Sequence, residues 1–192
     1  EQIAQEYQEQ YNNTIALITE NGKIRELHKK VIKDAEVNFI TLSDPIGHKT
    51  YERSAIMLFV KAVHDVMGKD VSVKVDFAIG KGLYCAVLSD QKVNDETVKQ
   101  INDRMNEMVA ADIPIVKKPY QITEAIGLFG KQGMEDKVNL FRYRRSSFVN
   151  VYELDGYYDY FYGYMLPSTG YIKYFQVFPY ESGILLLLPD KA

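Results

Sequence analysis

Apolar and polar positions alternate along the chain in two rhythms, and the switches between them mark the elements. In EQIAQEYQEQY (1–11), Ile3, Ala4 and Tyr7 share one side of a short polar helix. TIALITENGKIRELHKK (14–30) alternates on both sides of Asn21-Gly22. That pair predicts a hairpin, because a tight two-residue turn needs positive φ at both positions. DAEVNFITLSD (34–44) sets Val37, Phe39 and Ile40 among polar residues and predicts another strand, broken by Asp44-Pro45-Ile46-Gly47. From Lys49 to Met67 the rhythm turns helical. Ile56, Met57, Phe59, Val60, Val63 and Met67 cluster at three- and four-residue steps, and Gly68 ends the run.

The second half mixes the rhythms. VSVKVDFAIG (71–80) and GLYCAVLSD (82–90) read as a second hairpin-like pair. Asn94 caps a helix running to about Ala111, with acids in its first turn and Val98, Ile101, Met105 and Met108 on one face. Pro114 starts a short strand to Lys118, and ITEAIGLFG (122–130) is a third helix ending on glycine. From Lys137 onward the pattern reads as β. The strands are VNLFRYR (138–144), SFVNVYELDGYYDYF (147–161) with its turn at Asp155-Gly156, GYIKYFQVF (170–178) and GILLLLP (183–189). The expectation is an α+β fold in two pieces: a small hairpin-rich one at 1–45 and a helix-plus-sheet domain at 48–192.

Composition narrows the function. The 192 residues are 46% hydrophobic and 26% charged, an ordinary globular balance. The net charge of −3 argues against a protein that holds nucleic acid mainly through phosphates. The longest strongly apolar run, ILLLL (184–188), is far short of the about 20 residues that span a bilayer. No membrane is therefore expected as a partner. The lone Cys85 forms no internal disulfide, so a cytoplasmic location is expected. With Glu1 first and a strand-like run just before Ala192, both ends are expected to be cuts in a longer protein.

Few residues offer chemistry. Gly80-Lys81 and Gly130-Lys131 lack the upstream glycine and following Ser or Thr of a phosphate loop. His28, His48 and His64 fall in three elements without ligand spacing, so no metal site is expected from them. Cys85 has no identifiable basic partner and reads as a buried thiol. No catalytic residue is assigned. Arg142, Arg144 and Arg145, mixed with Phe141 and Tyr143, form an aromatic-basic strand that could stack on bases and meet phosphates; a plain solvated face is the competing reading. Tyr157, Tyr158, Tyr160, Tyr162, Tyr164, Tyr171, Tyr174 and Tyr180 crowd one quarter of the chain, as in a packed sheet or a docking face.

Longer stretches carry a resemblance. NNTIALITENGKIRELHKKVIKDAEVNFITLSDPIG (12–47) resembles the later part of a TGS domain, the ubiquitin-like β-grasp module that opens threonyl-tRNA synthetases. RSAIMLFVKAVHDVMG (53–68), the stretch from Ile113 to Arg144, and DYFYGYMLPSTGYIKYF (159–175) resemble the editing domain of the same enzymes, in the same order. That domain is related to the alanyl-tRNA synthetase editing domain. In the family, His-Ser-x-x-His on a helix faces Cys-x-x-x-His in a loop that continues into Pro-x-Thr-Gly. The quartet can bind zinc in related proteins; in bacterial synthetases it helps hydrolyse serine mischarged onto tRNA.

The departures shape the expectation. The helix positions are Arg53 and Met57, and the loop positions are Phe161 and Met165. A thioether is a weak ligand, a phenyl ring has no lone pair, and arginine stays protonated. Lys137 and Asp159 fall at the family's pocket lysine and aspartate, and are expected to persist as a salt bridge. Arg53, Met57, Lys137, Asp159, Phe161 and Met165 are therefore expected to form a degenerate pocket. Such modules resemble the region ahead of the kinase domain in bacterial uridine-kinase-like nucleoside kinases, most clearly in LPSTGYI (166–172) and YESGILLLLP (180–189). That resemblance implies a kinase domain as partner, with ATP and magnesium used there and no cofactor in this chain. Three roles stay open: a non-catalytic binding, regulatory or docking module, with a small anionic ligand or nucleotide held by Arg53 and Lys137; an RNA-binding module; and a residual aminoacyl-tRNA hydrolase.

Overall fold

The computed structural model describes residues 1–189. It is α+β, with three antiparallel sheets and five α-helices. Helix α1 (Gln2–Tyr7) precedes strands β1 (Ile15–Glu20), β2 (Lys23–Glu26) and β3 (Val37–Thr41), which form a sheet in the order β2-β1-β3. Asn21 and Gly22 close the first hairpin with φ of 50° and 77°, as the Asn-Gly turn predicts.

Helix α2 (Pro45–Met67) starts four residues earlier than its apolar rhythm suggests. Asp44, at its N-cap, accepts from the Thr41 backbone N–H at 2.7 Å and the Thr41 hydroxyl at 2.9 Å, joining β3 to the helix. Pro45 suits the first turn, where its missing N–H costs nothing. Gly47 is needed: a Cβ there would lie 1.9 Å from the Thr41 carbonyl oxygen.

Strands β4 (Ser72–Ile79) and β5 (Gly82–Leu88) pair with the late strands β9 (Gln176–Tyr180) and β10 (Gly183–Leu187) in the order β4-β5-β10-β9. Helix α3 (Asp95–Ala110) is capped by the Asn94 side chain, which accepts from the Thr97 N–H at 2.8 Å. Strands β6 (Val116–Gln121), β7 (Phe148–Leu154) and β8 (Tyr157–Asp159) make the third sheet. Its two faces are both covered. Tyr152, Leu154 and Tyr157 join the main core with α2 and α3, while Val149 and Val151 sit under helix α4 (Ile122–Lys131) and helix α5 (Glu135–Arg142). Ala16 and Leu17 of β1 belong to that main core as well.

Two expected strands take other forms. VNLFRYR is not β: Lys137 to Arg142 lie in α5. The alternation of Val138 and Leu140 suggested a strand, yet the buried pair is Val138 and Phe141, three apart, with Leu140 exposed. Glu135 and Asp136 in the first turn favour the helix dipole, and Phe141 stacks on Phe129 of α4 at 5.5 Å. The second departure is GYIKYFQVF. Residues Thr169–Tyr171 form a 3₁₀ turn, and strand structure begins only at Gln176. Among the described residues, no helix is long and apolar enough to cross a membrane.

Candidate functional site

The Leu166–Gly170 segment is shaped by α3, not by any reacting group. The Thr169 hydroxyl donates to the Met108 carbonyl at 2.5 Å and accepts the Ile113 N–H at 2.8 Å. The Ser168 hydroxyl and the Gly170 N–H both donate to the Asp112 carboxylate, at 2.5 and 3.0 Å. Gly170 must be glycine, since a Cβ would lie 2.3 Å from that carboxylate. Ser54 adds a tie from α2: its hydroxyl accepts the Leu166 N–H at 2.9 Å. The Pro-Ser-Thr-Gly frame thus fixes where residues 161–165 run.

That run is filled with side chains. Met57 on α2 and Met165 in the loop are fully buried and belong to the main core. The Ser54 hydroxyl lies 3.9 Å from the Met165 sulfur. Phe161 packs against the same core, edge-on to the Tyr152 ring at 6.4 Å. Arg53 lies against the loop. Its guanidinium donates to the Tyr164 carbonyl at 3.4 Å, and a Cβ on Gly163 would come within 2.4 Å of its Cζ. Gly163 also has φ of +143°, which side-chain-bearing residues rarely adopt. Two thioethers, a phenyl ring and a guanidinium do not fit a zinc ion, which needs nitrogen, thiolate or carboxylate ligands. Among the described residues, no three His, Cys, Asp or Glu side chains form a metal-holding group.

Beneath the loop lies a polar centre that sequence reasoning missed. Glu26, at the end of β2, is 3% exposed. Its carboxylate accepts from the Tyr152 hydroxyl at 2.5 Å, the Met165 N–H at 3.0 Å and the Lys117 ammonium at 3.1 Å. The Tyr152 oxygen also lies 3.0 Å from the Gly163 carbonyl. Burial, then the neighbouring Glu26, raises the Tyr152 phenol far above its usual range. A buried carboxylate without partners would be very costly, and this one has an ammonium and two further donors. Only the identity of a glutamate closing a strand hinted at it; its partners are 91 to 139 residues away.

On the other side of the sheet's end, Lys137 and Asp159 do meet, at 3.5 Å. Asp159 is 6% exposed and also accepts the Tyr157 hydroxyl at 3.1 Å and the Tyr160 N–H at 2.6 Å. Burial raises its carboxyl above the ordinary aspartate value, against the opposing pull of Lys137 and these donors. The pair faces a cleft of about 350 Å³, walled by Val60, Val73, Phe161 and His64. Of the six expected pocket residues, Lys137, Asp159 and Phe161 line this cleft. Arg53, Met57 and Met165 do not.

The basic stretch is not a strand. Arg142 ends α5, and Arg144 and Arg145 follow it. Arg144 is engaged: it donates to the Tyr160 hydroxyl at 2.9 Å and sits over the Phe141 and Tyr160 rings at 5.7 and 5.4 Å. Cys85 is fully buried, and burial pushes its thiol up to about 12, so it is no nucleophile at neutral pH.

The comparisons point to threonine–tRNA ligases. The chain is 30% identical to the threonine–tRNA ligase of Syntrophotalea carbinolica over 158 residues, 82% of this chain and 25% of that protein. It is 31% identical to threonine–tRNA ligase 1 of Bacillus subtilis over 158 residues, 82% of the chain and 24% of the relative. It is also 31% identical to the Petrotoga mobilis threonine–tRNA ligase over 169 residues, 87% of the chain and 26% of the relative. Its homologues are the N-terminal regions of these ligases. The chain spans about a quarter of the length of the curated relatives it matches. No protein-family model matches it.

Proposed function

We propose that this chain is a non-catalytic, synthetase-derived module: a TGS-like piece at 1–45 and an editing-like piece at 48–192. Its role is to bind a small ligand in the Lys137–Asp159 cleft and to regulate or dock onto the rest of its protein. One observation carries the reading. At the positions equivalent to the editing quartet stand Arg53, Met57, Phe161 and Met165, with Met57 and Met165 sealed in the core. Neither thioether can activate water or hold a catalytic metal. The Lys137–Asp159 pair persists, but a lysine–aspartate ion pair alone lacks an activated nucleophile.

A nucleoside-kinase parent, with ATP and magnesium in a separate domain, rests on the sequence resemblance in residues 166–172 and 180–189 alone. The RNA-binding reading is the weaker alternative, because Arg144 is already held by Tyr160 and Phe141. The test of the first reading is bound zinc and hydrolysis of Ser-tRNA(Thr) by the purified chain. Neither is expected; stoichiometric zinc or clear hydrolysis contradicts the reading.

A further inference from the structure

We infer that a second cavity, which shares His64, Gln132 and Tyr157 with the Lys137–Asp159 cleft, is a phosphate site for a small phosphorylated molecule. It measures about 320 Å³, within the range of small-ligand pockets, and lies between the C-terminal half of α2, the end of α4 and the β7–β8 turn.

The charges around it do not balance. Two carboxylates line it, Asp65 and Asp155, and both are already engaged. Lys61, 8% exposed, lies 2.5 Å from Asp65 and 3.5 Å from Asp155. Arg104 reaches the same two carboxylates at 2.9 and 3.7 Å. Arg104, outside the lining, also pairs with Glu107 at 3.2 Å, so Lys61 and Arg104 together serve three carboxylates. Lys69 and Lys131 then add two ammonium groups to the cavity wall. Among the described residues, neither makes an ion pair or hydrogen bond.

Two unpaired ammonium groups match the double charge of a phosphomonoester, whereas a monocarboxylate would satisfy one. Lysine binds phosphate as a point charge and needs no fixed fork geometry. The remaining wall is apolar or aromatic: Leu128 and Tyr158 are half-buried, and Tyr157 stands edge-on to His64 at 5.2 Å. Such a wall suits the organic part of a ligand the size of a mononucleotide. The cavity shares His64, Gln132 and Tyr157 with the cleft beside it, but neither Arg53 nor Lys137 lines it.

The test is calorimetry and thermal shift on the 192-residue chain with inorganic phosphate, pyrophosphate, purine and pyrimidine mononucleotides, the matching nucleosides and acetate, at low and high salt. A mononucleotide should raise the melting temperature where its nucleoside and acetate do not. Inorganic phosphate acting as strongly as the mononucleotides would also support the site and identify free phosphate as its ligand. The double variant K69Q/K131Q should keep the unliganded melting temperature and lose about tenfold or more in Kd. K137Q should bind like the parent chain. The inference is overturned by no response to any phosphate compound, by K69Q/K131Q binding unchanged, or by loss confined to K137Q. Binding of an RNA oligomer without binding of mononucleotides or phosphate overturns it too.

Discussion

The Glu26 carboxylate accepts the Met165 backbone N–H at 3.0 Å, across 139 residues of chain. A strand end of the small N-terminal sheet therefore holds the loop at residues 161–165. Lys117 and Tyr152 share the same carboxylate. Glu26→Ala would leave a mostly buried ammonium, a phenol and an N–H short of a partner. Breaking such a pair costs about 3–5 kcal/mol. Tyr152→Phe removes one charge-assisted bond and should cost about 1.5–3 kcal/mol. Urea unfolding of both variants checks this; an E26A midpoint indistinguishable from the parent's would refute the clamp.

Met57 and Met165 are read as core, not as remnants of a reactive pair. Met57→Ala and Met165→Ala should each destabilise by about 2–5 kcal/mol, as buried methionine truncations do. Arg53→Ala should cost less, since Arg53 is only partly buried and makes one 3.4 Å bond to Tyr164. Unfolding free energies for the three variants decide it. A larger loss for Arg53 than for either methionine would show that the loop depends on the charge.

Thr169 donates to the Met108 carbonyl of α3 and accepts the Ile113 N–H just beyond that helix, tying the loop to both. Thr169→Val keeps the shape and removes the hydroxyl, leaving a buried carbonyl and an N–H unsatisfied. The expected loss is about 1–3 kcal/mol per orphaned group. Thermal unfolding with hydrogen exchange at Ile113 reports it, and unchanged protection at Ile113 would argue against the tie.

Asp159 and His64 predict opposite pH effects. Burial raises the Asp159 carboxyl in the folded chain. Its stabilising contribution is therefore full below the ordinary aspartate value of 3.8 and is lost as pH rises through the raised folded value. Asp159→Asn should thus compare best with the parent at neutral pH and worst at low pH. Burial lowers the His64 imidazole. Its contribution is full above 6.5 and is lost as pH falls through the lowered folded value. His64→Asn should flatten the parent's loss of stability on acidification. Denaturant titrations from pH 4 to 8 measure both, and parallel profiles for all three proteins would contradict the assignment.

Local chemistry made much of this fold legible. Asn21-Gly22 and the Asn94 cap speak through neighbours one to three residues away, and both hold in the structure. Helix α5 misled because four residues, Val138 to Phe141, fit two rhythms. Packing against Phe129 chose between them. For the site, the Lys137–Asp159 contact was readable from motif order. The polar centre at Glu26 was not. Nothing near a glutamate in a strand tells which tyrosine, lysine or amide will meet it from 91 to 139 residues away. The split between the filled loop and the open cleft was equally hidden, since it depends on how far α2 buries each successive turn.

On the function proposed above, residues 53, 57, 161 and 165 form neither an editing site nor a metal site. The most direct measurement is Ser-tRNA(Thr) deacylation by the purified chain, run with added zinc and with metal removed, alongside metal content. The account predicts hydrolysis at the uncatalysed rate under both conditions and no retained zinc. Zinc held in stoichiometric amount, or hydrolysis clearly above background that R53A or M57A abolishes, would contradict it.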